Sequence, residues 1–135
     1  FALKLGIESP KTEDGDLINH FLAILSEHNL DFTNSFIDLG NDNLPSAIFG
    51  DFLYEWENRV NRVKAREIMK QTNPQIIPRN HHIAKAIEAG ENGDFSIMER
   101  LINAYSKPFE YNESYQDLYL LPREIERVEN TFCGT

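Results

Sequence analysis

Apolar positions fall at three- and four-residue spacing in stretches separated by polar breaks, and each such stretch predicts a helix. Leu17, Ile18, Phe21, Leu22 and Leu25 form one face running to about His28, with Asp16 placed to cap the free N–H groups of the first turn. Asn29 and Leu30 break the pattern. Asp31 then caps a short helix carrying Phe32, Phe36, Ile37 and Leu39, and Gly40, free to take left-handed backbone, stops it. After the polar Asn41-Asp42-Asn43, Pro45 suits the first turn of a long helix reaching about Gln71. Its stripe of Phe49, Phe52, Leu53, Trp56, Val60 and Val63 packs on the first two helices. Thr72-Asn73-Pro74 ends it, because proline disfavours helical geometry in the residue before it. Pro78 opens a helix with Ile83, Ala84 and Ile87 that ends near Gly90. Gly93-Asp94 is a turn and cap before a last helix with Phe95, Met98, Leu101, Ile102 and Tyr105. So short a connection makes an antiparallel hairpin.

From Lys107 the period is lost. Pro108, Phe109, Tyr111, Tyr115, Leu118, Tyr119, Leu120, Leu121 and Pro122 read as an extended segment laying its rings on a surface, with a further helical turn or two between Pro122 and Val128. The expectation is an all-α fold: one helical domain over residues 1–135, a small bundle of about five helices with one long central helix and a C-terminal hairpin. An extended aromatic tail, residues 107–135, wraps a surface of this domain or of a neighbour.

Composition agrees with a packed domain. The 135 residues suit a single core, and 41% apolar content with fifteen aromatics excludes disorder. The net charge of −9 repels phosphate backbones and anionic lipid, so neither nucleic acid nor a membrane is expected as partner. No apolar run of about 18 residues exists to span a bilayer. Phe1-Ala2-Leu3-Lys4 is no signal peptide and has no initiating Met, which suggests a segment of a larger protein. A single cysteine, Cys133, forbids an internal disulfide and fits a reducing, cytoplasmic compartment.

Candidate chemistry is sparse. His20 and His28 stand eight apart, too far to share an ion, and adjacent His81 and His82 are expected to point in different directions. The carboxylates lie in polar runs rather than in surroundings that would push paired pKa values apart. Gly90-Glu91-Asn92-Gly93 lacks the lysine and serine of a phosphate loop, and no Ser or Cys occupies a nucleophile elbow. The expectation is that this chain holds no catalytic residue, metal or cofactor. Charge is more informative. Between Arg59 and Lys85 stand seven bases opposed only by Glu67, a stretch of +6 in an acidic chain. Arg59, Arg62 and Arg66, with Arg79 and Asn80, are the candidate docking residues for an acidic neighbour, or else a solvated face.

Several strings carry a resemblance. They are Lys4-Leu5-Gly6; Asp31-Phe32-Thr33 leading to Phe36; Trp56; Asn73-Pro74 followed by Arg79-Asn80 and Ala86-Ile87; Gly93-Asp94-Phe95 with Leu101; Pro108; and Cys133, third from the end. In order and spacing they resemble the C-terminal region of the selenoprotein O (YdiU-like) family of pseudokinase-fold protein adenylyltransferases, over essentially the whole chain. The resemblance implies a parent that transfers AMP from ATP to protein hydroxyls with a divalent metal, Mg or Mn. The site for that chemistry would lie in a kinase-like body preceding this region, which would then be a partner of this segment along with the parent's protein substrates. Cys133 takes the place of a residue that is selenocysteine in some members, which marks it as a redox residue. Its disulfide partner would have to lie outside this chain. Phe32, His81-His82 and the terminal Gly134-Thr135 depart from residues found in some similar members. The segment is thus expected to be an accessory or regulatory module of an adenylyltransferase, with a free-standing helical protein–protein interaction domain as the alternative.

Overall fold

A computed structural model describes residues 1–126. Those residues form six α-helices and three short 3-10 helices, and no strand occurs among them. The chain divides into two compact units, Phe1–Gln75 and Ile76–Thr135.

The first unit holds a 3-10 turn (Ala2–Leu5) and helices α1 (Asp14–Glu27), α2 (Phe32–Gly40), α3 (Ser46–Arg59) and α4 (Arg62–Thr72). Its apolar stripes converge as the spacing predicts. Leu17 and Phe21 of α1, Phe36 and Leu39 of α2, and Phe49, Phe52 and Trp56 of α3 are buried together with Leu5, Ile7, Ala65 and Met69. Phe21 is at the centre, with ring centroids 4.8 Å from Phe52, 4.9 Å from Phe36 and 5.7 Å from Phe49, all tilted as aromatic quadrupoles prefer. Burying each such ring stabilises the unit by about 1.5–3 kcal/mol, which makes this cluster its main anchor.

Two local expectations are corrected. The long helix from Pro45 to Gln71 is two helices. Val60 is extended (φ −115°, ψ 155°) and Asn61 caps α4, its side-chain oxygen accepting the Lys64 N–H at 3.2 Å. A strong N-cap residue followed by a helix-forming run competes with continuation, and Val60 is β-branched and tolerates extended backbone. The first helix begins at Asp14, ahead of Asp16. The Asp14 carboxylate accepts the Lys11 N–H at 2.6 Å and is then held by Arg59, a long-range bond that sequence spacing does not reveal.

The second unit is built on the hairpin of α5 (Asn80–Glu91) and α6 (Ser96–Tyr105). Gly93 supplies the left-handed residue of the turn (φ +83°), and Asp94 accepts the Ser96 N–H at 3.0 Å. The core is small: Ile76, Ala86, Leu101, Ala104 and Leu118, flanked by half-buried Met98, Tyr105, Tyr115 and Tyr119. The segment after Lys107 is not extended throughout. Glu113–Tyr119 coils as a 3-10 helix, capped by Asn112, and drops Leu118 into that core. Arg100 fixes it there, donating to both oxygens of Asp117 (2.6 and 3.0 Å) and to the Ser114 carbonyl (2.9 Å), with its guanidinium 5.4 Å from the Tyr115 ring centroid. Among the described residues no helix is long and apolar enough to cross a membrane.

Candidate functional site

In the first unit the sequence strings named above interlock. The Trp56 indole N–H donates to the Leu5 carbonyl at 2.7 Å. Asn73, only 3% exposed, donates to the Lys4 carbonyl at 2.8 Å and accepts from the Lys4 ammonium at 3.3 Å. Gly6 has φ +74°, and a Cβ there would come within 2.5 Å of the Ala65 Cβ and 2.6 Å of its Cα, so glycine is required both by backbone and by space. Lys4 also lies 5.4 Å from the Phe36 ring centroid and 5.9 Å from that of Phe32, and Asp31 caps α2 by accepting the Asn34 N–H at 2.8 Å. Lys4-Leu5-Gly6, Asp31-Phe32, Trp56 and Asn73 therefore form one clasp that ties the first residues of the unit across α2, α3 and α4. Its groups bond to one another, so the clasp is architecture rather than chemistry.

The candidate docking arginines have partners within their own unit. Arg59 holds buried Asp14 by two bonds (2.6 and 2.8 Å) and donates to the Ser9 carbonyl at 2.9 Å. That guanidinium holds the Asp14 carboxyl below its ordinary value, and Asp14 raises Arg59 in return. Arg62 pairs with Asp42 at 2.7 Å and Glu57 at 2.9 Å, and Arg66 takes the other oxygen of Asp42. Asp42 itself has φ +58°, a conformation Asp tolerates in a turn. The sequence singled out the bases but gave no sign of which acids meet them, because the pairs with Asp14 and Asp42 are 20–45 residues apart.

Arg79 and Asn80 belong to the second unit, at the start of α5. With Ile77, Pro78, His81, Pro122 and Glu126 they line an open cleft of about 480 Å³. A second cleft of about 390 Å³ has an apolar floor including Ile97, Leu101 and Leu118, and a polar rim including His82, Lys85, Arg100 and Arg123. Here a further expectation is corrected. His81 and His82 do not diverge; their rings lie 3.9 Å apart at 41°, because long side chains on neighbouring residues of a first turn can lean together over the same opening. Burial lowers both histidines below 6.5, and for His82 the adjoining His81 adds to the effect. Glu126 joins this site by pairing with Lys85 and with Arg123, and these bonds hold its carboxyl far below the usual range. The two rings and one carboxylate do not make a metal site, and no group of three or more His, Cys, Asp and Glu converges among the described residues. Cys133, the candidate redox residue, lies outside the described residues.

No family profile matches the chain. Individual relatives do. A protein of Clostridium botulinum (strain Okra) named "Protein nucleotidyltransferase YdiU" is 39% identical over an alignment of 145 positions covering 98% of this chain. One of the same name from Bacillus thuringiensis subsp. konkukian is 34% identical over 144 positions, again covering 98%. The chain is related to a segment of the YdiU proteins. It spans 29% of the Clostridium YdiU protein and 30% of the Bacillus one, so it corresponds to a part of these nucleotidyltransferases. Trp56, Asn73 and Gly6, which carried the resemblance in sequence, are the residues of the clasp.

Proposed function

We propose that the chain is the C-terminal accessory or regulatory module of a protein adenylyltransferase, whose kinase-like body lies outside it. The observation that carries this reading is the match to YdiU nucleotidyltransferases along 98% of the chain but under a third of their length. On this reading ATP and a divalent metal, Mg or Mn, are bound by the body, and AMP passes from ATP to hydroxyls of protein substrates. No described cluster of this chain supplies a carboxylate set for such an ion, so no step of the transfer is assigned to its residues. Their task is to present a stable helical surface to the body. Cys133 is its redox-responsive residue, and a disulfide partner for it lies outside this chain, in the body or in another molecule.

The test is calorimetric titration of the full-length polypeptide with ATP and Mg or Mn. Saturable binding is expected, and it persists when Trp56→Phe loosens the clasp while AMP transfer to protein declines. Failure of the full-length protein to bind ATP would contradict the proposal.

A further inference from the structure

The second unit leaves an apolar strip on the outer face of its hairpin. Ile87 is 52% exposed, Phe95 55% and Ile102 62%, with Ile83 also exposed. These are one surface. The Phe95 ring lies over Gly90, 3.5 Å from where a Cβ would stand. Ile87 and Ile83 lie three and seven residues before Gly90, and so continue its row along α5. Met98 and Ile102 lie three and seven residues after Phe95, and in an antiparallel hairpin they run back beside that row.

Around the Ile87–Phe95 end of this strip the charge has one sign. Between Lys85 and Arg100 the chain carries Glu88, Glu91, Asp94 and Glu99 and no base. Glu88, Glu91 and Glu99 have no cationic partner among the described residues, unlike Asp117 and Glu126 on the other side of the hairpin. A two-fold contact with a second copy would press this acidic rim against itself. An anionic lipid surface is disfavoured by the same charge.

We propose that the Ile83–Ile87–Phe95–Ile102 strip is the surface through which this module docks on the body of its own polypeptide, against an apolar patch rimmed by lysine and arginine. The assignment rests on the reading that such a body exists. It is supported by the more than two-thirds of the relatives' length lying outside the matched segment, and by an acidic rim with no cationic partner among the described residues. The apolar row supplies the desolvated centre of the contact, and Glu91 and Glu99 supply its register.

The test uses the full-length protein. Ile87→Cys and, as a control on the same hairpin, Asn103→Cys are alkylated, and mass mapping separates them from Cys133. Ile87→Cys is expected to react about tenfold or more slowly than the control, as a thiol in a desolvated contact does. Zero-length carbodiimide coupling of the wild type, mixed from 14N- and 15N-labelled protein, is expected to join Glu91 or Glu99 to lysines outside residues 1–135 within same-label chains. Equal alkylation rates, mixed-label links, or links only to lysines of residues 1–75 would overturn the docking surface while leaving the module reading intact. A polypeptide that proves to have no segment beyond this one would instead defeat that reading itself.

Discussion

At the scale of single residues, the chain invests its polar chemistry in holding itself together. Asp14 is 4% exposed and would be costly to bury unpaired, so Arg59 is its necessary counterion. Replacing Arg59 with Met is expected to cost on the order of 2 kcal/mol, less than for fully buried pairs because Arg59 keeps some contact with water. Trp56, the sole tryptophan, lies in the same unit and reports this directly as a shift of the denaturant midpoint of its fluorescence. Because the folded-state carboxyl is lowered from 3.8, the pair's contribution is present above that value and is lost as pH falls through the lowered one. The histidine pair has a different window. His81 and His82 are lowered from 6.5, so the folded unit favours their neutral forms. As pH falls below 6.5, the unfolded chain takes up protons that the folded unit resists, and stability drops until the lowered values are reached. Arg79 and Lys85 oppose charging of His81 while Glu126 favours it; His81 and Lys85 oppose charging of His82 while Asp117 and Glu126 favour it. The protection factors of α5 and α6 amides, that is their exchange corrected for its intrinsic pH dependence, are expected to fall on moving from pH 7 to pH 5, as these histidines cross their ordinary range. The His81→Asn, His82→Gln double variant should flatten that response, and an unchanged slope would remove the histidines as its cause. None of this pairing could be read from the sequence, since periodicity reports which face a residue occupies and not which distant group it meets.

At the scale of elements, the helical periods were legible wherever a stripe of large apolar residues continued without interruption. Phe21, Phe36, Phe49, Phe52 and Trp56 all entered the core that their spacing implied. The reading failed where a local capping preference competed with the stripe. Val60 and Val63 kept the expected spacing, yet Val63 is 70% exposed, because the chain turns at Asn61 and starts a new helix. The turn lets α4 place Ala65 against Gly6, which an unbroken helix would carry elsewhere. Asn61→Ala should therefore destabilise the first unit by about 1 kcal/mol, the usual cost of losing an N-cap side chain. Gly6→Ala should be worse than that, since it adds both left-handed strain and a clash with backbone. Thermal unfolding followed by Trp56 fluorescence ranks the two, and a milder effect at Gly6 would show that the clasp is looser than its distances imply. The 3-10 coil at Glu113–Tyr119 was missed for a related reason. Its aromatic residues lack helical period, and its fold depends on Arg100, which reaches Asp117 seventeen residues on.

At the scale of the whole molecule, the two units use the same kind of material differently. The first closes a core of large aromatic rings around a clasp of residues from both its ends. The second, among the described residues, closes a core of five buried apolar side chains and leaves Ile87, Phe95 and Ile102 outside it. That exposed strip is the feature on which the proposed docking rests, and the chain matches only 29–30% of the length of its YdiU relatives. Sequence alone pointed to the same relatives through a set of short strings, none decisive by itself. Their weight becomes physical only when Lys4, Gly6, Trp56 and Asn73 prove to touch. The most direct measurement is intact-protein mass spectrometry of the full-length polypeptide and a protein acceptor after incubation with ATP and Mg or Mn. An adduct with the mass of an adenylyl group is expected on the acceptor or on the enzyme itself. A phosphoryl adduct in its place, or no adduct with either metal, would contradict the assignment of this chain to a protein adenylyltransferase.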